Sequence, residues 1–112
     1  MRFTVFISGP YSGINVEQNL DNVKEVASKL IDLGFAPIIP HFYHYIDMKY
    51  NKPYDIWLEC ALELLERADI MFRLPGNSSG ADKEEELANT LNMTVYHSME
   101  ELEKDLKTGM FS

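Results

Sequence analysis

One glutamate, Glu84, is predicted to lie on the apolar face of its helix rather than on the solvated face. Ser79 is suited to cap a helix, and Asp82 three residues later fits a capping box. On a helical wheel Glu84 shares a side with apolar residues, namely Ala81, Leu87, Ala88 and Leu91. An inward carboxylate at the start of a helix suits a nucleophile, while the alternative is a first-turn acid that tolerates half burial. The helix dipole favours its ionised form and the neighbouring carboxylates raise its pKa, so the direction of the pKa shift stays open.

A glycine-rich segment, residues 8–13, follows an apolar run and precedes a helical pattern. Its two glycines and two serines, next to a helix N-terminus, suit an anion or a sugar. The segment matches neither a Walker loop nor the GxGxxG fingerprint, so it does not indicate a nucleoside triphosphate or a dinucleotide. The alternative is an ordinary turn between strand and helix.

Aromatic side chains gather in a segment further along the chain. They are Phe42, Tyr43, Tyr45, Tyr50, Tyr54 and Trp57. Such a group holds a planar base or forms the core of a loop. His41 and His44 lack a third ligand at suitable spacing for zinc, so His41 is interpreted as a loop anchor. Asp55 lies at the start of the next helix, and Cys60 within it is expected to be a buried apolar residue.

The elements that position these residues alternate between strand and helix. The pattern predicts strands at 3–7, 35–39, 69–74 and 93–97, helices at 15–33, 54–67, 81–92 and 99–106, and an irregular loop at 41–53. This order indicates an α/β fold, a flavodoxin/Rossmann-like three-layer sandwich with a four- to five-stranded parallel sheet. Ligands bind such sheets at the carboxyl ends of the strands, which selects the loops at 8–13, 40–53 and 75–80.

Composition limits the classes of function. The 112 residues are enough for a single domain, residues 1–112, and the net charge is −8, all of it from the part after residue 53. Such acidity argues against binding nucleic acid or an anionic membrane. One cysteine allows no internal disulfide, and the apolar start is too short for a signal peptide or a membrane span. A cytoplasmic protein is expected.

Several short motifs together resemble those of the nucleoside 2-deoxyribosyltransferase-like superfamily. That superfamily includes deoxynucleoside 5′-monophosphate N-glycosidases and a small domain-of-unknown-function family of bacteria and phages. The motifs span about residues 3–97. In chain order they are Ile7 to Gly13, Gly34-Phe35 leading to Pro40-His41, Trp57, Ala68-Asp69, Leu74-Pro75-Gly76, and S-G-A-x-x-E-x-x-x-A from Ser79. The last of these is the most specific.

The resemblance implies catalytic roles for three residues. Glu84, four residues after Gly80, corresponds to the nucleophile, Tyr11 to the tyrosine that orients it, and Asp55 to the acid or base that acts on the nucleobase. The substrate-binding positions are Ser8, Gly9, Ser12, Gly13, His41, Ser79 and Gly80. No metal or organic cofactor is implied, and a homodimer or higher homo-oligomer is expected.

The implied reaction is cleavage or transfer of the N-glycosidic bond of a (deoxy)nucleoside or its 5′-monophosphate through a glycosyl-enzyme intermediate. The first alternative is a non-catalytic domain of the same fold that binds or senses a nucleotide or an ADP-ribose-type ligand. The second is a structural or partner-binding domain with a vestigial cleft. The chain has no arginine in the first loop, which favours a nucleoside over a monophosphate.

Overall fold

Strands and helices alternate along the chain in the computed structural model, which describes residues 1–11 and 15–111. The strands are β1 (Thr4–Ser8), β2 (Ala36–Ile38), β3 (Ile70–Arg73) and β4 (Val95–Tyr96). The helices are α1 (Val16–Asp32), α2 (Tyr43–Asp47), α3 (Tyr54–Glu66), α4 (Ser79–Thr90) and α5 (Met99–Lys107). A 3-10 turn, Pro40–Phe42, comes directly before α2.

The strands form one parallel sheet in the order β2-β1-β3-β4. The predicted α/β class with a parallel sheet is therefore confirmed, with four strands in the described residues. After β1 the chain forms β2 on one side of that strand, and later it forms β3 on the other side of β1. In sheets of this kind the crevice between those two strands is where ligands bind.

Helices cover both faces of the sheet and make three layers. On one face Val23 and Leu30 of α1 and Leu102 of α5 pack against Val5 and Ile7. On the other face Phe6 and Met71 pack against α3 and α4 through Ala61, Leu65 and Ala88. β1 is apolar along most of its length because both of its faces are buried.

A reciprocal pair of hydrogen bonds joins the starts of β1 and β3. The backbone N–H of Thr4 donates to Asp69 Oδ2 at 2.7 Å, and the N–H of Asp69 donates to Thr4 Oγ1 at 2.9 Å. We call this pair of hydrogen bonds the Thr4–Asp69 clasp. It lies one residue before Val5 and Ile70, the first residues that the two strands pair.

The segment at 41–53 is more ordered than the sequence predicts. It contains part of the 3-10 turn and the whole of α2, so the expectation of an irregular loop is wrong. Pro40 begins the turn because its fixed φ suits a first helical position. After α2, the Asp47 carboxylate accepts the backbone N–H of Lys52 at 3.0 Å and fixes the path toward α3.

Two local predictions need correction. The cap of α4 is Ser78, whose Oγ accepts the N–H of Ala81 at 3.1 Å, while Ser79 is already helical. The capping box does not form because Ala81, which has no side-chain acceptor, takes the third helical position after this cap, and Asp82 pairs with Arg73. Cys60 is half-buried rather than buried. In the described part of the chain, no helix has the length and apolar character needed to cross a membrane.

Candidate active site

The carboxyl ends of β1 and β3 bring together two polar residues on one face of the sheet. Ser8 and Arg73 lie opposite each other in register, and both are buried. They follow Phe6 and Met71, which face α3 and α4, so the alternation of side chains directs them toward the same helices. The first turns of α4 therefore meet a hydroxyl and a guanidinium at the point where the strand order reverses.

Glu84 lies at this meeting point and is 8% exposed. The Ser8 hydroxyl donates a hydrogen bond of 2.6 Å to Glu84 Oε1. Burial raises the pKa of Glu84 from 4.5 to about 7, against the opposing effects of the Ser8 hydrogen bond and the positive charge of Arg73. The direction that the sequence left open is thus upward, and its cause is desolvation rather than the neighbouring carboxylates.

A carboxyl group with this pKa suits catalysis in two ways. Near neutral pH a substantial fraction is ionised and able to attack an electrophilic carbon. Burial also removes much of its hydration, so little water has to be displaced when a substrate approaches. A perturbed, buried acid in a cleft indicates a functional site, although ion-pair networks also shift pKa values.

Arg73 connects β3 with the following loop and with the first turns of α4. Its Nε donates to Leu74 O at 3.1 Å and its NH2 to Gly76 O at 3.0 Å. Its NH1 pairs with Asp82 at 3.1 Å and with Glu85 at 3.5 Å. These contacts fix the residues on either side of Glu84 in the chain, and the whole guanidinium is engaged in them.

A cavity of about 140 Å³ opens in front of Glu84. Its lining includes sequence-predicted site residues, which are Gly9, Tyr11, His41, Ser79, Gly80 and Glu84. Residues that the sequence did not assign to the site complete it, chiefly Tyr43, Tyr54, Trp57, Asn77 and Ser78. The structure thus brings together segments from all three of the loops selected by the parallel-sheet rule.

His41 forms part of the wall as an uncharged ring. It is 3% exposed, and its Nε2 lies 3.0 Å from the carbonyl oxygen of Gly9, to which it donates. Burial lowers the pKa of His41 to about 4, so the ring is neutral at physiological pH. Its Nδ1 then carries a lone pair, and this atom is buried with no hydrogen-bond partner in the described structure. The contact with Gly9 supports the interpretation of His41 as a loop anchor.

Tyr11 shares the cavity with Glu84 and lies between two imidazole rings. Its ring centroid is 5.9 Å from that of His41 and 6.2 Å from that of His44, both edge to face. Burial, with the negative charges of Asp47 and Glu84, raises the pKa of Tyr11, so its hydroxyl stays protonated. The hydroxyl that bonds Glu84 in this structure belongs to Ser8, and the role of Tyr11 as the orienting group stays a prediction.

Two stacked aromatic rings form a second wall. Tyr43 and Trp57 lie 5.2 Å apart with an interplanar angle of 25°. The indole Nε1 of Trp57 donates to Asp47 Oδ1 at 2.7 Å, which joins α2 to α3. The sequence indicated an aromatic cluster here, and the structure places Tyr43, Tyr54 and Trp57 at the cavity.

The start of α3 touches the start of α4 through Tyr54 and Gly80. A Cβ at position 80 would fall on the Tyr54 hydroxyl, so this pairing requires glycine at position 80. Gly9 is similarly confined, because a Cβ there would lie 2.8 Å from Leu74 Cβ. These two glycines allow loops and a side chain to approach closely around the cavity.

Asp55 is not brought to the cavity. It is exposed in the first turn of α3 and is not among the described lining residues. The reason is helical periodicity: the face turned inward consists of Tyr54, Trp57, Leu58 and Ala61, and Asp55 lies off that face. The same periodicity is visible in the sequence and could have separated Asp55 from its inward neighbours. Ser12 and Gly13 lie outside the described residues.

Residues 1–11 and 15–111 contain no group of three or more His, Cys, Asp or Glu side chains placed to hold a metal ion. His41 uses its Nε2 on a backbone carbonyl, and His44 lies beside the Tyr11 ring.

Comparison with known proteins gives a family and a fold. Residues 3–98 match a family described as a domain of unknown function, DUF7768. The chain belongs to this family. Among solved structures it is similar to a 2-deoxyribosyltransferase of the psychrotolerant bacterium Bacillus psychrosaccharolyticus, with a TM-score of 0.62 and 18% identity, covering 82% of this chain and 69% of the other. That enzyme is described as a biocatalyst for the synthesis of nucleosides.

The structural likeness confirms, at the level of the fold, the resemblance found in the sequence. A comparison with curated proteins finds no match.

Proposed function

We propose that the chain cleaves or transfers the N-glycosidic bond of a (deoxy)nucleoside or its 5′-monophosphate. The observation that carries the proposal is the buried Glu84 carboxyl, hydrogen-bonded to Ser8 and facing a cavity with an aromatic wall. The likeness of the fold to that of a 2-deoxyribosyltransferase supports it.

In the proposed first step, the ionised Glu84 attacks C1′ of the sugar. A bond forms between a carboxylate oxygen and C1′, and the bond from C1′ to the base nitrogen breaks, with its electron pair leaving on the base. The base takes up a proton from solvent as it departs, and the attacking water or second base returns a proton to solvent in the second step. In the second step, water or another base attacks C1′ and releases Glu84 as a carboxylate.

The surrounding residues have supporting roles in this scheme. Ser8 holds one carboxylate oxygen in place, and the protonated hydroxyl of Tyr11 is available as a hydrogen-bond donor within the cavity. Tyr43 and Trp57 offer flat apolar surface beside the place of the base. The exposed position of Asp55 does not support the acid role that the resemblance implies.

The test is base release from a panel of nucleosides and monophosphates, measured by chromatography with and without a second free base. Glu84→Gln is expected to abolish release, whereas Glu86→Gln, an exposed position on the same helix, leaves it intact. Mass spectrometry of quenched wild-type protein should show one added glycosyl group on Glu84. Failure of the wild type to release any base would overturn the proposal, and tight binding without turnover would favour the binding-domain alternative.

We also propose that the protein forms a homodimer or higher homo-oligomer through the segment around α2. Phe42, Tyr45, Ile46, Met48 and Tyr50 are each 39% to 71% exposed in this short stretch. Exposed apolar side chains gathered in one segment suit an interface with another protein surface, here a second copy of the chain. Light scattering after size exclusion should show more than one chain per particle, and a monomer at all concentrations would contradict this.

A further inference from the structure

The start of α4 is the part of the cavity that would receive an anionic group of a ligand. The N–H groups of Ser79 and Gly80 precede the first intrahelical hydrogen bond, and helix N-termini of this kind attract phosphates. Part of this end is already engaged, because the Ser78 hydroxyl accepts the N–H of Ala81.

The ring of Tyr54 extends from α3 to this same place. Its hydroxyl occupies the space that a side chain at position 80 would fill, so it lies against the first turn of α4. Tyr54 lines the cavity and is also 46% exposed, so its ring borders both the cavity and solvent beside Gly80.

The charges around the cavity do not favour an anionic group either. No lysine or arginine is among the described residues that line it, and positions 12–14 carry Ser, Gly and Ile. His41 is neutral, and the Arg73 guanidinium is engaged by two carbonyls and two carboxylates. Glu84 contributes an acid, and so does Asp47 behind Trp57.

We propose that Tyr54 is a specificity-determining residue that closes the α4 end of the cavity to a 5′-phosphate, so that the site takes an uncharged nucleoside. This inference rests on the proposed function and names the substrate class for it. A dianionic phosphate at this place would lose contact with the helix N–H groups and would lie near carboxylates without a cation to balance it.

A phosphate there would also act on the nucleophile. A nearby negative charge disfavours ionisation of a carboxyl group, so a bound monophosphate would raise the pKa of Glu84 further and reduce its ionised fraction at neutral pH. The uncharged 5′-hydroxyl of a nucleoside has no such effect.

The test compares 2′-deoxynucleosides with their 5′-monophosphates in wild type, Tyr54→Ala and Tyr54→Phe. Ile56→Ala is the matched control, since Ile56 is similarly exposed on the same helix, α3, and lies outside the described lining. Wild type is expected to favour the nucleoside in kcat/KM by at least about tenfold. Tyr54→Ala should lower the ratio of the monophosphate KM to the nucleoside KM by at least about fivefold, with a smaller shift in Tyr54→Phe and none in Ile56→Ala.

Binding is measured separately by calorimetry in the Glu84→Gln background with the same pairs of ligands. This separates the two proposals, because selectivity in binding does not depend on turnover. If no base is released but the nucleoside binds more tightly and Tyr54→Ala reduces the difference, the catalytic proposal fails and the specificity role stands. Preference of wild type for the monophosphate, or an unchanged ratio in Tyr54→Ala, would overturn the inference, as would failure to bind the nucleoside.

Discussion

Removing the hydroxyl of Ser8 should raise the pKa of Glu84 and shift the pH dependence of catalysis. The bond of 2.6 Å favours the ionised carboxylate and opposes the effect of burial. A hydrogen bond to a charged group contributes about 1.5 to 3 kcal/mol, and one pKa unit corresponds to about 1.4 kcal/mol. In Ser8→Ala the pKa should therefore move from about 7 to roughly 8 to 9.

The expected loss of activity follows from the ionised fraction. At pH 7 that fraction falls from about one half to between roughly one tenth and one hundredth, so kcat/KM should decrease about five- to fiftyfold. Most of the lost activity should return as the pH is raised. Ser28→Ala, an exposed position on α1, serves as the control.

The assay combines a pH profile of kcat/KM with a titration of the Glu84 carboxyl by carbon-13 NMR, which needs no substrate. A carboxyl pKa in Ser8→Ala that is equal to or below the wild-type value would refute the reasoning. The Ser8 hydroxyl would then not stabilise the charged form of Glu84.

Three further predictions concern stability and selectivity. Because folding raises the pKa of Glu84 from 4.5 to about 7, the stability that the protonated carboxyl provides below pH 4.5 is lost as the pH rises through about 7. The free energy of unfolding of Glu84→Gln, measured with urea, should therefore rise relative to that of wild type by up to about 3 kcal/mol between pH 4 and 8. A difference between the two proteins that stays constant with pH would contradict this. Gly80→Ala should displace the Tyr54 hydroxyl and relax discrimination against monophosphates as Tyr54→Ala does, so unchanged selectivity in the kinetic comparison would count against the contact. Arg73→Met should lower the free energy of unfolding by about 2 kcal/mol, because carbonyls of the loop after β3 lose their donor, and an unaltered urea midpoint would show that these bonds add little.

The sequence predicted the parts of the molecule that depend on local periodicity. The alternation of strands and helices led to the α/β fold, and the helical wheel placed Glu84 on the inward face, where the structure buries it. Both depend on patterns within some twenty residues, which a single chain displays openly.

Contacts between distant segments could not be predicted in this way. The Ser8–Glu84 bond joins residues 76 positions apart, and periodicity does not indicate which group faces an inward carboxylate. The cap of α4 differs by one residue because two adjacent serines are equally suited to capping, and the choice depends on backbone conformation. Asp55 followed from the resemblance alone, and the face of α3 turns it away from the cavity.

The Thr4–Asp69 clasp lies at the opposite end of β1 and β3 from Glu84 and helps to hold the register that brings Ser8 to Glu84. Side chains alternate along a strand, so a slip of one residue between β1 and β3 would turn Ser8 to the face of α1 and α5. Ser8 lies four positions after Thr4, about 13 Å away at strand spacing. The contact between Ser8 and Glu84 therefore depends in part on a clasp remote from the cavity, so substitutions of Thr4 or Asp69 should impair the proposed catalysis without touching the cavity.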